Sequence, residues 1–110
     1  MPQDAAPFHL PAAVAAYFAA KDAATLTTAF AEDALVQDEG RQMRGHDAII
    51  AWKAETTAKY QPRFAPLAAA ERDGKIVVTC EVSGNFPRSP IKLDFTFTLR
   101  DERIAALEIH

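Results

Sequence analysis

The sequence predicts an α+β domain in which three helical segments pack on a mostly antiparallel sheet. Between Pro11 and Tyr60, apolar residues recur at the three-to-four spacing of helices, interrupted by one strand-like run, Ala34 to Asp38. From about Arg63 to the end, apolar and polar residues alternate with the period of strands. Turn signals at Asp73-Gly74, Ser83 to Pro90 and Asp101-Glu102 divide that second half into antiparallel strands. With 110 residues, 49% of them hydrophobic and 25% charged, the chain suits a single domain, residues 1–110, whose core needs no disulfide or metal support.

The elements follow in order. Pro11 is expected in the first turn of a helix whose buried face carries Val14, Tyr17 and Phe18. Asp22 suits the cap of a second, short helix with Leu26, Ala29 and Phe30 as its inward stripe, ending where Glu32-Asp33 breaks the pattern. In the strand that follows, Ala34, Val36 and Asp38 share one side and Leu35 and Gln37 the other. Glu39-Gly40 turns the chain, Arg41-Gln42-Met43 returns as a short strand, and Gly45 opens a third helix with Asp47 near its positive end. Ile49, Trp52, Thr56 and Tyr60 fall on one face of that helix. The cleanest alternation sets Ile91, Leu93, Phe95, Phe97 and Leu99 against Lys92, Asp94, Thr96, Thr98 and Arg100.

Several function classes are excluded. The net charge of −3 is mixed in sign along the chain, and no basic run exists to follow a phosphate backbone, so nucleic acid is not an expected partner. No stretch approaches membrane-spanning length, and Met1 to Pro7 has neither the basic start nor the apolar run of a secretion signal, which together suggest a cytoplasmic protein. Cys80 lies in the strand-like run Ile76 to Val82 and reads as a small apolar residue suited to a reducing compartment. His9, His46 and His110 lack metal-ligand spacing, no phosphate loop or nucleophile elbow is present, and no cofactor or metal is expected. His46 reads as a solvated residue at a helix start.

Asp38 and Tyr17 are the candidate catalytic pair. A carboxylate against apolar walls loses hydration and becomes a better base near neutral pH, whereas the structural alternative for Asp38 is an exposed turn residue. Tyr17 either presents its hydroxyl to a cavity or serves as a core aromatic bonded to a backbone carbonyl. Asp33 reads as a structural acid that satisfies backbone donors just beyond the second helix. Phe18, Val36, Trp52, Tyr60, Phe95 and Phe97 are the expected walls of a binding cavity.

Tyr17-Phe18, the segment Phe30 to Asp38, Gly45-His46-Asp47-Ala48-Ile49-Ile50-Ala51-Trp52 and the ending Phe95 to Leu99 with Ile104 together resemble the nuclear transport factor 2-like superfamily. Within it the chain is similar to the SnoaL-like polyketide cyclase and ketosteroid isomerase branch. The resemblance implies a strongly curved, cone-shaped sheet closed by three helices, commonly as a homodimer. It also implies that Tyr17 stands where ketosteroid isomerases donate to an enolate oxygen, and Asp38 where they shuttle a proton. The second oxyanion donor of those isomerases falls at Phe97 or Phe95, neither of which can donate, while Asp94 lies on the opposite face. The expected activity is therefore binding of a small apolar or aromatic ligand, with proton abstraction next to a carbonyl as its chemistry. The alternative is a non-catalytic dimeric module whose interior is filled or merely stores a ligand. Either suits homodimerisation through the sheet face bearing Lys92, Asp94, Thr96 and Thr98.

Overall fold

The computed structural model describes residues 9–110, so the reading made on Met1 to Pro7 lies outside the described residues. Two helices, α1 (Ala12–Ala19) and α2 (Ala23–Ala29), lead into the hairpin β1 (Phe30–Asp38) and β2 (Arg41–Arg44). The third helix, α3 (His46–Tyr60), precedes four strands: β3 (Arg63–Arg72), β4 (Lys75–Ser83), β5 (Ile91–Arg100) and β6 (Arg103–Ile109). They form one open six-stranded sheet of order β2-β1-β6-β5-β4-β3. The pairing is antiparallel except between β1 and β6, where the first long strand lies parallel to the last. That crossover sets Val36 opposite Leu107 and Asp38 opposite Ile109, uniting the first strand with the last inside the sheet.

Local chemistry explains the helix ends. The Thr25 amide donates to Asp22 Oδ1 at 2.8 Å, so the expected cap of α2 is made. Pro11 is the residue before α1, accepting from the Ala15 amide at 2.9 Å, and not a member of its first turn. Phe30 likewise leaves the expected helical stripe: α2 closes at Ala29, and Phe30 begins β1 in extended conformation. The strand is therefore longer than Ala34 to Asp38, with an irregular register between Phe30 and Leu35 that spans Glu32-Asp33. Gly45 enters α3 at φ 87°, a left-handed conformation suited to glycine, and its amide donates to the Ala34 carbonyl at 2.8 Å.

The three helices cover one face of the sheet, with α3 against β1 and β2. Between the layers sit Val14, Phe30, Val36, Phe97, Ile104 and Leu107, each fully buried. Tyr17 is the hub of an aromatic cluster, with ring centres 5.2 Å from Phe18, 5.9 Å from Phe30 and 5.6 Å from Phe97. Cys80 is fully buried beside Leu93 in the ladder, and burial pushes its thiol up to about 11, consistent with an inert apolar role. The chief partner of the Asp33 carboxylate is Arg100 rather than a backbone donor of the turn, while the Asp33 carbonyl accepts from Arg44. His46 is part-buried rather than solvated, because its ring Nε2–H donates to the Phe30 carbonyl at 3.0 Å and ties α3 to the start of β1. Among the described residues, no helix is long and apolar enough to cross a membrane.

Candidate functional site

Asp38 ends β1 on the inward side because strand alternation carries it there with Ala34 and Val36. The helix that crosses above it, α3, delivers Trp52, whose Nε1–H donates to Asp38 Oδ2 at 3.1 Å. No other protein donor among the described residues reaches that carboxylate. Partial burial raises the Asp38 pKa above the ordinary carboxylate value, with the Trp52 bond and the charges of Arg41 and Lys53 opposing the rise. The carboxylate is thus held in one orientation and made a stronger base.

Around it lies a cavity of about 310 Å³ whose inner wall includes Tyr17, Trp52, Phe64, Val82 and Phe95. That volume sits at the lower end of the range of about 300–1,000 Å³ typical of small-molecule sites. Tyr17 is 2% exposed, and its hydroxyl makes no hydrogen bond to a protein group among the described residues. Burial, then the charges of Asp38 and Cys80, hold the phenol protonated far above its usual range.

The mouth is built by the end of α3 and the loop between β4 and β5. Tyr60 donates to Glu39 Oε2 at 3.4 Å and meets Phe86 edge to face at 5.8 Å. The Asn85 amide donates to the Tyr60 carbonyl at 2.6 Å. Gly84 permits this approach, since a Cβ there would lie 2.5 Å from the same carbonyl oxygen.

Of the sequence-derived candidates, Tyr17, Asp38, Trp52, Tyr60 and Phe95 line this one cavity. Phe18 lies instead on a second hollow of about 740 Å³ between the helices, which shares Tyr17, Lys53 and Phe64 with the first. Val36 and Phe97 are fully buried and line neither hollow. Their inward orientation is as expected, but the helices cover them: the Phe97 ring packs 5.6 Å from Tyr17 and 5.8 Å from Phe18. Among the described residues, no group of three His, Cys, Asp or Glu side chains gathers as a metal site.

Lys53 is the charged cavity residue that sequence reasoning missed. Its ammonium lies 4.8 Å from the centre of the Tyr17 ring and 4.5 Å from that of Phe64. Desolvation brings it down to about 8, against the opposing pull of Asp38 and Cys80. The sign was present in the spacing: Lys53 stands three residues before Thr56 and seven before Tyr60, at the edge of the helical face that carries Trp52. Phe64 was missed for a different reason, because β3 is largely exposed and alternates weakly.

Residues 12–107 match the model of the SnoaL-like domain. The chain belongs to the SnoaL-like domain family. A crystal structure of a "putative polyketide cyclase" from Sinorhizobium meliloti is 39% identical to this SnoaL-like domain, with a TM-score of 0.89 over 92% of this chain and 95% of that one. A hypothetical protein of ketosteroid isomerase-like fold from Catenulispora acidiphila, solved in complex with trimethylamine, is 21% identical, with a TM-score of 0.77 over 93% and 86% of the two chains. A second "putative polyketide cyclase", from Xanthomonas campestris, shares 16% identity at a TM-score of 0.75, covering 88% of this SnoaL-like domain and 85% of its own length. The last two establish likeness of fold alone. No match arises among proteins of curated function.

Proposed function

We propose that this SnoaL-like domain binds a compact apolar or aromatic carbonyl compound and abstracts a proton from the carbon next to the carbonyl. The observation that carries this reading is that Asp38 and Tyr17 border one small cavity, the first as a raised-pKa carboxylate and the second as a buried, protonated phenol. Asp38 takes the proton through a carboxylate oxygen, the C–H electron pair moves into the carbonyl, and the resulting enolate oxygen accepts from the Tyr17 hydroxyl. Return of the proton to a different carbon isomerises the ligand. Attack of the enolate carbon on a second carbonyl of the same molecule closes a ring, the attacked C=O π pair becoming an alkoxide that takes the proton back from Asp38, consistent with the cyclase description of the Sinorhizobium relative. Trp52 orients the base, and Phe64, Phe95 and Val82 exclude water, which strengthens both polar contacts.

The test is deuterium exchange at the α-carbon of small aromatic ketones in D₂O, followed by NMR. Wild type is expected to catalyse exchange and Asp38→Asn to lose it with the fold intact. Exchange that persists in the variant removes Asp38 from the mechanism, and ligand binding with no exchange at all favours a storage module.

The same proposal includes a homodimer formed through the outer sheet face. The register brings Glu81 opposite Lys92 and Thr79 opposite Asp94 on that face, and Thr79 donates to Asp94 Oδ1 at 3.1 Å. Charges of both signs beside hydroxyls suit isologous pairing with a second copy of the chain. Light scattering should return twice the chain mass, and a monomer at micromolar concentration would count against the pairing.

A further inference from the structure

The cavity holds a polar group that proton abstraction leaves unused. Lys53 Nζ lies 4.5 Å from the Phe64 ring centre, 4.8 Å from that of Tyr17 and 5.7 Å from that of Trp52. An ammonium offers three donors and no acceptor. Among the described residues, Lys53 enters no ion pair and donates to no oxygen, while the nearby Tyr17 hydroxyl is equally unpartnered. The one carboxylate on the inner wall, Asp38, already accepts from Trp52 through Oδ2. Lys53 is part-buried, ring faces compensate its charge only in part, and a partly desolvated donor without an acceptor is left underused. What Lys53 lacks is an anionic oxygen within hydrogen-bond reach.

We propose that Lys53 is an anion-binding group and that the cavity takes a compact aromatic acid, its carboxylate seated on Lys53 Nζ and its ring between Phe64, Phe95 and Trp52. This rests on the reading of the cavity as a ligand site but requires no catalysis there. The ionisable groups acting on Lys53 are Asp38 from β1 and Cys80 from β4, with the Tyr17 phenol presented by α1. Burial keeps the thiol and phenol neutral at pH 7, leaving Asp38 as the charged neighbour. The lysine, brought down to about 8 by desolvation, regains its proton affinity when a carboxylate arrives. Binding above pH 8 therefore takes up protons.

The experiment is titration calorimetry with naphthalene-2-carboxylate and its uncharged isostere naphthalene-2-carboxamide. At pH 7 the acid should bind wild type about tenfold or more tightly than the amide, the difference one charge-assisted hydrogen bond makes. Lys53→Met should erase that preference while keeping amide binding. At pH 8.5, buffers of different ionisation enthalpy should reveal proton uptake with the acid in wild type and none in Lys53→Met. Equal affinity for the two compounds, a preference that survives in the variant, or failure of both to bind overturns the proposal. Acid preference without α-carbon exchange would sink the proton-abstraction reading and leave this one standing; exchange on neutral ketones without acid preference would do the reverse.

Discussion

Tyr17→Phe should make the protein more stable. The hydroxyl removed belongs to a buried residue that lines a cavity of about 310 Å³, and it has no protein acceptor among the described residues. An unsatisfied buried hydroxyl costs about 1–3 kcal/mol, and water entering the cavity brings the figure to the lower end, about 1 kcal/mol. The ring stays, so the contacts to Phe18, Phe30 and Phe97 are kept. For a domain of this size, about 1 kcal/mol corresponds to a rise in Tm of about 4 °C. The gain should be constant from pH 6 to 9, because burial and the charge of Asp38 keep the phenol protonated throughout. Thermal unfolding followed by circular dichroism reads the change directly. If the hydroxyl is the oxyanion donor, the same variant should lose about 10²–10³-fold in exchange rate, so stability and activity move in opposite directions. A Tyr17→Phe variant less stable than wild type would refute the reasoning, since it would mean the hydroxyl has a partner that the packing requires.

Other expectations follow from the same geometry. Desolvation lowers the pKa of Lys53 in the folded state relative to the unfolded chain, so folding is penalised below about pH 8 and the penalty fades as pH rises from 8 toward 10.5. Lys53→Met should therefore be more stable than wild type at pH 7, with the gap closing through that window in urea titrations; a gap independent of pH would count against a desolvated lysine. Cys80 acts in the opposite sense between 9 and about 11, which makes pH 8 to 9 the cleanest interval. Asp38 is raised, so its folded-state penalty applies above its folded pKa and vanishes below the unfolded value of 3.8. Asp38→Asn should thus match or exceed wild-type stability at pH 7, with its advantage gone at pH 3. Gly84→Ala sets a Cβ against the Tyr60 carbonyl and should cost about 1–3 kcal/mol by urea unfolding. It should also weaken binding of any cavity ligand by displacing Phe86, whereas an unchanged unfolding midpoint would mean that the loop yields freely.

The order of elements was legible because each carries its own local chemistry. Asp22 caps α2 through the Thr25 amide, Gly45 turns into α3, and the strict alternation of Ile91 to Leu99 can only be a strand with one buried face. Strand and helix periodicity put Asp38 on the side of Val36 and Tyr17 on the side of Val14, while an exposed turn for Asp38 and a plain core role for Tyr17 stayed open. The end of α2 was misread because Phe30 continues the helical stripe in sequence, yet its side chain is better used in β1, packed beneath Tyr17. Asp33 was misread because its partner, Arg100, lies 67 residues away.

The local sequence alone gives the order of helices and strands and the side on which the β5 phenylalanines lie, because those properties depend on neighbours within one turn or one pleat. It does not settle what surrounds them. The parallel seating of β1 against β6, the burial of Val36 and Phe97 away from the hollow, and the arrival of Lys53 between Tyr17 and Phe64 depend on contacts between residues far apart in the chain. A lysine on an exposed helix and a lysine in a cavity have the same local sequence pattern. Only closure of the layers takes water from one of them, and with the water goes part of its ordinary affinity for a proton.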